Sequence, residues 1–154
     1  MPSLWLIIVI SWIAQDLLRV LITPFMAVPD MYILALGMLF TKESYNKVLI
    51  LITAFIGGLL WDMRWGAPLG FTSMLYVGYL IVLKIAWGAV SHAAKTPALA
   101  FFLVFLVHIC TSLIELVLYR NTALFPGFSF IAKQIGALIF CLLVHAHLLR
   151  EEMD

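Results

Sequence analysis

The sequence predicts an all-α integral membrane protein, a bundle of about six transmembrane helices that forms a single polytopic membrane domain over residues 1–154. Of the 154 residues, 65% are hydrophobic and 11% are charged, with a mean hydropathy of +1.13. A soluble domain carries about 25% charged residues, and only a bilayer accommodates so much apolar surface on so short a chain. In addition, six apolar stretches follow one another with short polar or proline-containing breaks between them.

The apolar stretches define the predicted helices. They cover Leu4–Ile22, Pro29–Phe40, Lys47–Trp61, Leu69–Val90, Pro97–Tyr119 and Phe128–Leu149. No basic residue precedes the first stretch, unlike in a cleavable signal peptide, so we interpret it as a retained helix. The second has about twelve residues, which rise about 18 Å, less than the ~30 Å hydrocarbon core. It either extends back through Pro24 or is a partial span packed against protein.

The breaks between the helices carry turn and loop residues. They are Pro24 and Pro29, Thr41–Lys47, Gly66–Gly70, Ser91–Thr96 and Asn121–Gly127. Pro29-Asp30 is typical of a helix start. Gly57 and Gly58, one turn after Ala54, are predicted to let a neighbouring helix approach closely.

The distribution of basic residues predicts the orientation. An even number of spans places both termini on one side, and with the N-terminus inside, the inner side holds five basic residues and the outer side three. The inner set is Lys42, Lys47, Lys84, Lys95 and Arg150, and the outer set is Arg19, Arg64 and Arg120. Cytoplasmic loops are enriched in Lys and Arg, so both termini are predicted to be cytoplasmic.

Ionisable residues inside the predicted membrane region are the most informative part of the sequence, because each costs roughly 2.5 to 3.5 kcal/mol to insert. Three acids and three bases fall in the predicted outer half, so that this set balances to zero. They are Asp16, Asp62, Glu115, Arg19, Arg64 and Lys133. Glu115 and Lys133 have matching predicted depths, and we predict that they form an ion pair.

A polar stripe follows one face of the fifth predicted helix. It consists of His108, Thr111, Ser112, Glu115 and Tyr119, at helical spacing. Such a stripe is expected to face protein or a wet cavity rather than lipid. It is either a polar clamp that only holds the bundle together, or part of an outward-open pocket or partner-helix recognition site. His108 itself is interpreted as a satisfied interior histidine.

Signs of catalysis, cofactor binding or nucleic-acid binding are not found in the sequence. The net charge of +1 provides no basic field for nucleic acid. No pattern resembles a nucleophile with its base, a phosphate loop or a metal cage. We therefore expect a protein without catalytic residues, cofactor or metal, and an intramembrane enzyme is the weakest of the alternatives.

The segment Gly58–Gly70 resembles a signature of the MreD family, the small polytopic rod shape-determining proteins of bacteria. In that family an Asp ends an apolar helix, and a Gly and a Pro-Leu-Gly lead into the next. Asp62, Gly66, Pro68 and Gly70 occupy these positions. Pro29-Asp30 also matches the family's second segment, and the length and segment order agree over the whole chain.

The resemblance implies a non-enzymatic role in the cell-wall elongation machinery of the bacterial inner membrane. MreD-like proteins bind MreC, which has one membrane helix and a periplasmic domain, and work alongside the RodA and PBP2 wall synthases and the MreB filament. The resemblance also implies a fold similar to the S components of energy-coupling factor transporters. A small-molecule-binding S component is therefore the alternative function. S components dock their energising partner through small residues four apart on helix 1, and Ser11 and Ala14 lack such a neighbour.

The role of Asp62 has two interpretations that stay open. Pro68 is suited to the first turn of the fourth helix, and Asp62 is then placed to accept hydrogen bonds from free amides there, or to pair with Arg64 or Arg19. In this case the signature residues have only a structural role, which is to stabilise the turn. Alternatively, the signature residues contact a partner.

Overall fold

The computed structural model describes residues 2–22, 27–119 and 126–153, which form α-helices joined by short connections, with no strand among them. The helices are α1 (Pro2–Leu21), α2 (Met31–Thr41), α3 (Lys47–Trp65), α4 (Phe71–Ala89), α5 (Pro97–Tyr119) and α6 (Pro126–Met153). A 3₁₀ turn at His92–Ala94 lies between α4 and α5. The predicted all-α fold class is therefore confirmed.

Four helices are long and apolar enough to cross a membrane: α3, α4, α5 and α6. Only 28% to 33% of the residues in their apolar windows are buried inside the protein. The other residues of these windows are partly or fully exposed on the surface of the bundle, as expected where lipid is the solvent. The membrane character is supported, whereas spanning by α1 and α2, and with it the count of about six spans, stays a prediction.

Helix α2 is the centre of the bundle. All ten residues from Tyr32 to Thr41 are buried, and α2 packs against α1, α3, α4, α5 and α6. A helix that is apolar all round is stable only where it is enclosed. The predicted packing of this short segment against protein is confirmed, whereas its partial spanning of the membrane stays a prediction. The alternative extension through Pro24 is wrong, because the helix begins at Met31; Pro24 itself lies outside the described residues.

The α3–α4 hairpin differs from the sequence prediction. Helix α3 continues to Trp65 rather than ending at Trp61, and α4 begins at Phe71 rather than Leu69. Gly66 and Gly70, with φ of 65° and 91°, adopt the left-handed conformation at the two ends of the turn. Pro68 therefore precedes the helix instead of starting it, and its carbonyl accepts a hydrogen bond from the Phe71 N–H at 3.0 Å.

The prediction of a close helix approach at Gly58 is confirmed. A Cβ added to Gly58 would lie 2.5 Å from the Cα and 2.6 Å from the backbone N of Ser73. The backbones of α3 and α4 thus touch at this level. The Ser73 hydroxyl donates a 2.9 Å hydrogen bond to the Phe55 carbonyl beside the contact. At Gly57, an added Cβ would collide with the Tyr32 ring.

The variant Gly58→Ala is expected to lower the free energy of unfolding in detergent micelles by about 2 kcal/mol, because overpacking against a backbone forces the helices apart. Gly78→Ala on α4 is the matched control, since an added Cβ there meets nothing within 4 Å. Equal stability of the two variants in a denaturant titration would contradict the close packing of α3 on α4.

The connections define two ends of the bundle. The Asp62 end contains the α3–α4 turn, the residues before α2 and the start of α6, which line one cavity together. The Lys95 end contains the α2–α3 and α4–α5 connections and Leu148 of α6, which line another. The predicted limits of the fifth helix are confirmed, and α6 extends beyond Leu149 to Met153. Arg120 and residues 121–125 of the predicted break Asn121–Gly127 lie outside the described residues. The rest of that prediction is wrong, because α6 begins at Pro126 rather than at Phe128.

Candidate functional site

Lys133 lies between two carboxylates at the Asp62 end. Its Nζ is 2.6 Å from Glu115 Oε2 and 2.5 Å from Asp30 Oδ2. The predicted pair of Glu115 and Lys133 is confirmed, and Asp30 is a second partner that the sequence did not indicate. The Lys133 side chain is almost fully buried. A buried ammonium is stable only when its charge is compensated and its donors are used, and the two carboxylates meet both needs.

Three helices position this triad. Lys133 is on the early part of α6, Glu115 is near the end of α5, and Asp30 is the residue before α2. No side-chain capping bond from Asp30 to α2 is found, so its carboxylate is directed to Lys133 instead. With Asp30 included, four acids and three bases gather at this end among the described residues, and the predicted balance of charge is wrong by one acid.

Gln15 performs the capping that Asp30 does not. Its Oε1 accepts a 3.0 Å hydrogen bond from the backbone N–H of Tyr32, and its Nε2 donates to the Tyr76 hydroxyl at 3.4 Å. One buried amide thereby connects α1, α2 and α4. The first N–H groups of a helix have no partner within the helix, so Gln15 satisfies a donor at the start of the central helix.

Asp62 holds the α3–α4 turn. Its Oδ2 accepts from the Gly70 N–H at 2.8 Å, and both carboxylate oxygens lie within 3.2 Å of the Thr72 N. The residue is 1% exposed. Of the alternatives, acceptance from free helix amides is therefore the one found. These bonds place a negative charge at the amide end of α4, where the helix dipole also favours it.

A cationic and aromatic patch lies on the α1 side of α3. Asp16 Oδ1 is 3.4 Å from Arg64 Nε and accepts a 3.1 Å hydrogen bond from Trp65 Nε1. The Arg19 guanidinium lies over the rings of Trp61 and Trp65, at 5.1 and 4.9 Å from their centroids. Such cation–π contacts stabilise a cation near apolar surface.

A cavity of about 410 Å³ lies at this end between α1, α3, α4, α5 and α6. Six of the predicted site residues line it, namely Arg19, Gly66, Pro68, Ser112, Glu115 and Lys133. Asp16, Asp62, Arg64, Gly70 and His108 are not in the lining. Instead, Asp62 and Gly70 form the turn beside it. Sequence reasoning missed Asp30 and Tyr76 among the lining residues. Asp30 was noted only as part of a helix start, and Tyr76 lies in an apolar helix, where nothing marked it as a site residue.

His108 lies deeper in the bundle. It is fully buried, and its Nε2 is 3.4 Å from the Ser112 hydroxyl. Its Nδ1 has no hydrogen-bond partner among the described residues, so the interpretation as a satisfied histidine is wrong for that nitrogen. His108 and Ser112 are buried, which confirms that this part of the polar stripe faces protein. The Tyr119 side chain lies outside the described residues.

The geometry is suited to binding and to structural coupling of helices through paired charges. No family model matches this chain, and neither the curated proteins nor the solved structures contain a match.

Proposed function

We propose that this chain is a non-enzymatic membrane scaffold of the bacterial cell-wall elongation, or rod-shape, machinery. It binds the membrane helix of an MreC-like partner and helps regulate peptidoglycan synthesis. In this proposal about six helices lie in the inner membrane and both termini are cytoplasmic. Wall synthases of the RodA and PBP2 type and the MreB filament are further partners in the same machinery.

The proposal depends chiefly on one observation. The residues that carry the resemblance form one hydrogen-bonded unit: Asp62 holds the amides of Gly70 and Thr72, and Gly66 ends α3. The Asp62 carboxylate is buried and fully used, so it is not itself available for a partner. It instead fixes the position of the side chains that the turn presents.

We call three exposed apolar side chains of this hairpin the signature surface: Met63 of α3, Leu69 of the turn and Met74 of α4, exposed to 72%, 72% and 76%. Methionine is flexible and polarisable and adapts to apolar partners of different shape. Arg64 and Trp65 follow Met63 directly in the sequence. Exposed apolar side chains together with arginine and aromatic residues are typical of protein interfaces, which favours a partner helix over lipid alone.

The variant Leu69→Ala is expected to weaken binding of a co-expressed MreC-like protein about tenfold, as truncation of a central apolar contact does. Ile85→Ala is the matched control, because Ile85 is also on the surface at 68% exposure but lies toward the other end of α4. The measurement is the fraction of partner retained on the tagged, detergent-solubilised chain. No retention by the unaltered chain would overturn the proposed function, and equal retention by both variants would exclude the signature surface.

The cavity of about 410 Å³ supports a second candidate, a small-molecule-binding subunit of an energy-coupling factor type transporter. Sites for small molecules commonly have 300 to 1,000 Å³ and a few convergent polar groups. Gln15, Asp30, Glu115 and Lys133 supply such groups here. A vitamin-like molecule that stays bound to the chain through purification would favour this function over the scaffold.

A further inference from the structure

The charged triad presents its negative side to the cavity at the Asp62 end. Two carboxylates surround one ammonium, so that the triad carries one net negative charge. The side chains of Asp30 and Glu115 are 18% and 27% exposed, whereas that of Lys133 is only 8% exposed. All three residues line the cavity of about 410 Å³. A molecule that enters the cavity therefore meets mainly carboxylate oxygens of the triad.

Each of the two carboxylates has one oxygen left for a ligand. Glu115 contacts Lys133 through Oε2, and Asp30 contacts it through Oδ2. Within residues 2–22, 27–119 and 126–153, no hydrogen bond to Glu115 Oε1 or Asp30 Oδ1 is found. A carboxylate only accepts hydrogen bonds, and those from cationic donors are the strongest. The two oxygens therefore favour a ligand with a cationic N–H group.

The rest of the lining favours an organic ligand over a metal ion. Trp61 and Phe130 provide aromatic surface, and Leu75 and Leu116 provide aliphatic surface. Aromatic faces attract organic cations, and apolar walls suit the body of a small molecule. In the described part of the chain, no group of three potential metal ligands is found. The exposed Pro68 of the α3–α4 turn also belongs to the lining, so a ligand can enter beside the turn.

The fourth charged residue of the lining, Arg19, lies at another wall. Its guanidinium is over the rings of Trp61 and Trp65, where α1 meets α3. The triad lies instead where the start of α2 meets α5 and α6. The lining is thus positive at one wall and negative at the other, which directs the ammonium end of a ligand to the triad. Arg19 makes further contacts within the protein, so the hydrogen bonds to the ligand come from the triad.

We propose that this cavity binds a small organic amine, whose protonated ammonium group donates hydrogen bonds to Asp30 Oδ1 and Glu115 Oε1. The charge of the ligand neutralises the triad, and its apolar body contacts the aromatic and aliphatic lining. This inference goes beyond the scaffold role and does not depend on it. For the second candidate function, the small-molecule-binding subunit, it names the class of ligand and rests on that candidate.

The test titrates phenethylamine, which is protonated at neutral pH, into the full chain in a nonionic detergent, with binding measured by isothermal titration calorimetry. One molecule is expected to bind per chain. 2-Phenylethanol has the same body with a hydroxyl group in place of the ammonium. It is expected to bind about tenfold more weakly, because it loses the charge-assisted hydrogen bonds. Equal binding of the two compounds, or no saturable binding of the amine, would overturn the proposal.

Variants that each remove one negative charge locate the site. Glu115→Gln and Asp30→Asn both leave Lys133 with one carboxylate, and each is expected to weaken amine binding about tenfold. Glu43→Gln is the matched control, because Glu43 is exposed at the Lys95 end and does not line this cavity. Unfolding in detergent shows whether each variant is folded; if one is not, the comparison of the two compounds on the unaltered chain decides. Amine affinities that are the same for folded Glu115→Gln and Glu43→Gln would overturn the site, whatever the outcome of the partner-binding experiment.

Discussion

Replacing Lys133 with methionine is expected to lower the free energy of unfolding by about 3 to 5 kcal/mol, the cost of leaving buried charges without their partner. Methionine has nearly the same length but no charge, so Asp30 and Glu115 would face each other without the ammonium that now lies within 2.6 Å of both. Denaturant unfolding of the purified chain in detergent micelles measures the effect. The same change at the exposed Lys84 is the control and is expected to be nearly neutral.

A rescue experiment distinguishes charge from packing. If unpaired charge causes the loss, the triple variant Lys133→Met, Asp30→Asn and Glu115→Gln should recover most of the stability, since neutral amides can hydrogen-bond to each other. If the triple variant is no more stable than Lys133→Met alone, the triad is not the electrostatic unit described above. Retention of full stability by Lys133→Met would contradict the account more directly.

The second large effect is expected at Asp62. Asp62→Ala leaves the amides of Gly70 and Thr72 without their acceptor, and losing buried hydrogen bonds to a charged group is expected to cost about 3 kcal/mol. Asp62→Asn retains one carbonyl oxygen and should lose roughly half as much. The order of stability should therefore be the natural chain, then Asp62→Asn, then Asp62→Ala, as measured by unfolding in detergent.

Asp16→Ala is the control for Asp62, because the Asp16 contacts with Arg64 and Trp65 are partly exposed and such pairs contribute roughly 0 to 1 kcal/mol. Limited proteolysis provides a second measurement, since a turn without its acceptor should open to cleavage between α3 and α4. Asp62→Ala with the stability of Asp16→Ala would show that the turn does not depend on this carboxylate.

The features that could be predicted from the sequence depend on the local pattern of apolar residues and on the depth of charged residues in the membrane. The limits of the fifth helix were predicted correctly because Pro97 begins it and no proline or glycine interrupts the mostly apolar stretch that follows, up to Tyr119. The ion pair of Glu115 and Lys133 was predicted because both charges need compensation at similar depth in neighbouring helices. Gly57 and Gly58 were predicted as close-approach positions because small residues leave space for a neighbouring helix.

The features that could not be predicted depend on tertiary contacts. The end of α3 was placed four residues too early, since Asp62 is polar; its carboxylate is satisfied by amides that α4 supplies. Asp30 resembles a helix cap in the sequence. It forms an ion pair with Lys133 because α6 lies beside the start of α2, which the sequence does not indicate. The cavity at the Lys95 end combines two connections and α6, which no local pattern brings together.

The charged triad at the Asp62 end and the cavity at the Lys95 end are expected to lie at opposite faces of one membrane. Impermeant maleimide labelling in intact cells tests it most directly, using a chain whose Cys110 and Cys141 have been replaced. Single cysteines are introduced by Ala67→Cys in the α3–α4 turn, Ser44→Cys in the α2–α3 connection or Ala93→Cys in the α4–α5 connection. The account predicts that only the cysteine at position 67 reacts in intact cells, while those at 44 and 93 react after permeabilisation. Reaction of positions 67 and 44 from the same side of the membrane would contradict it.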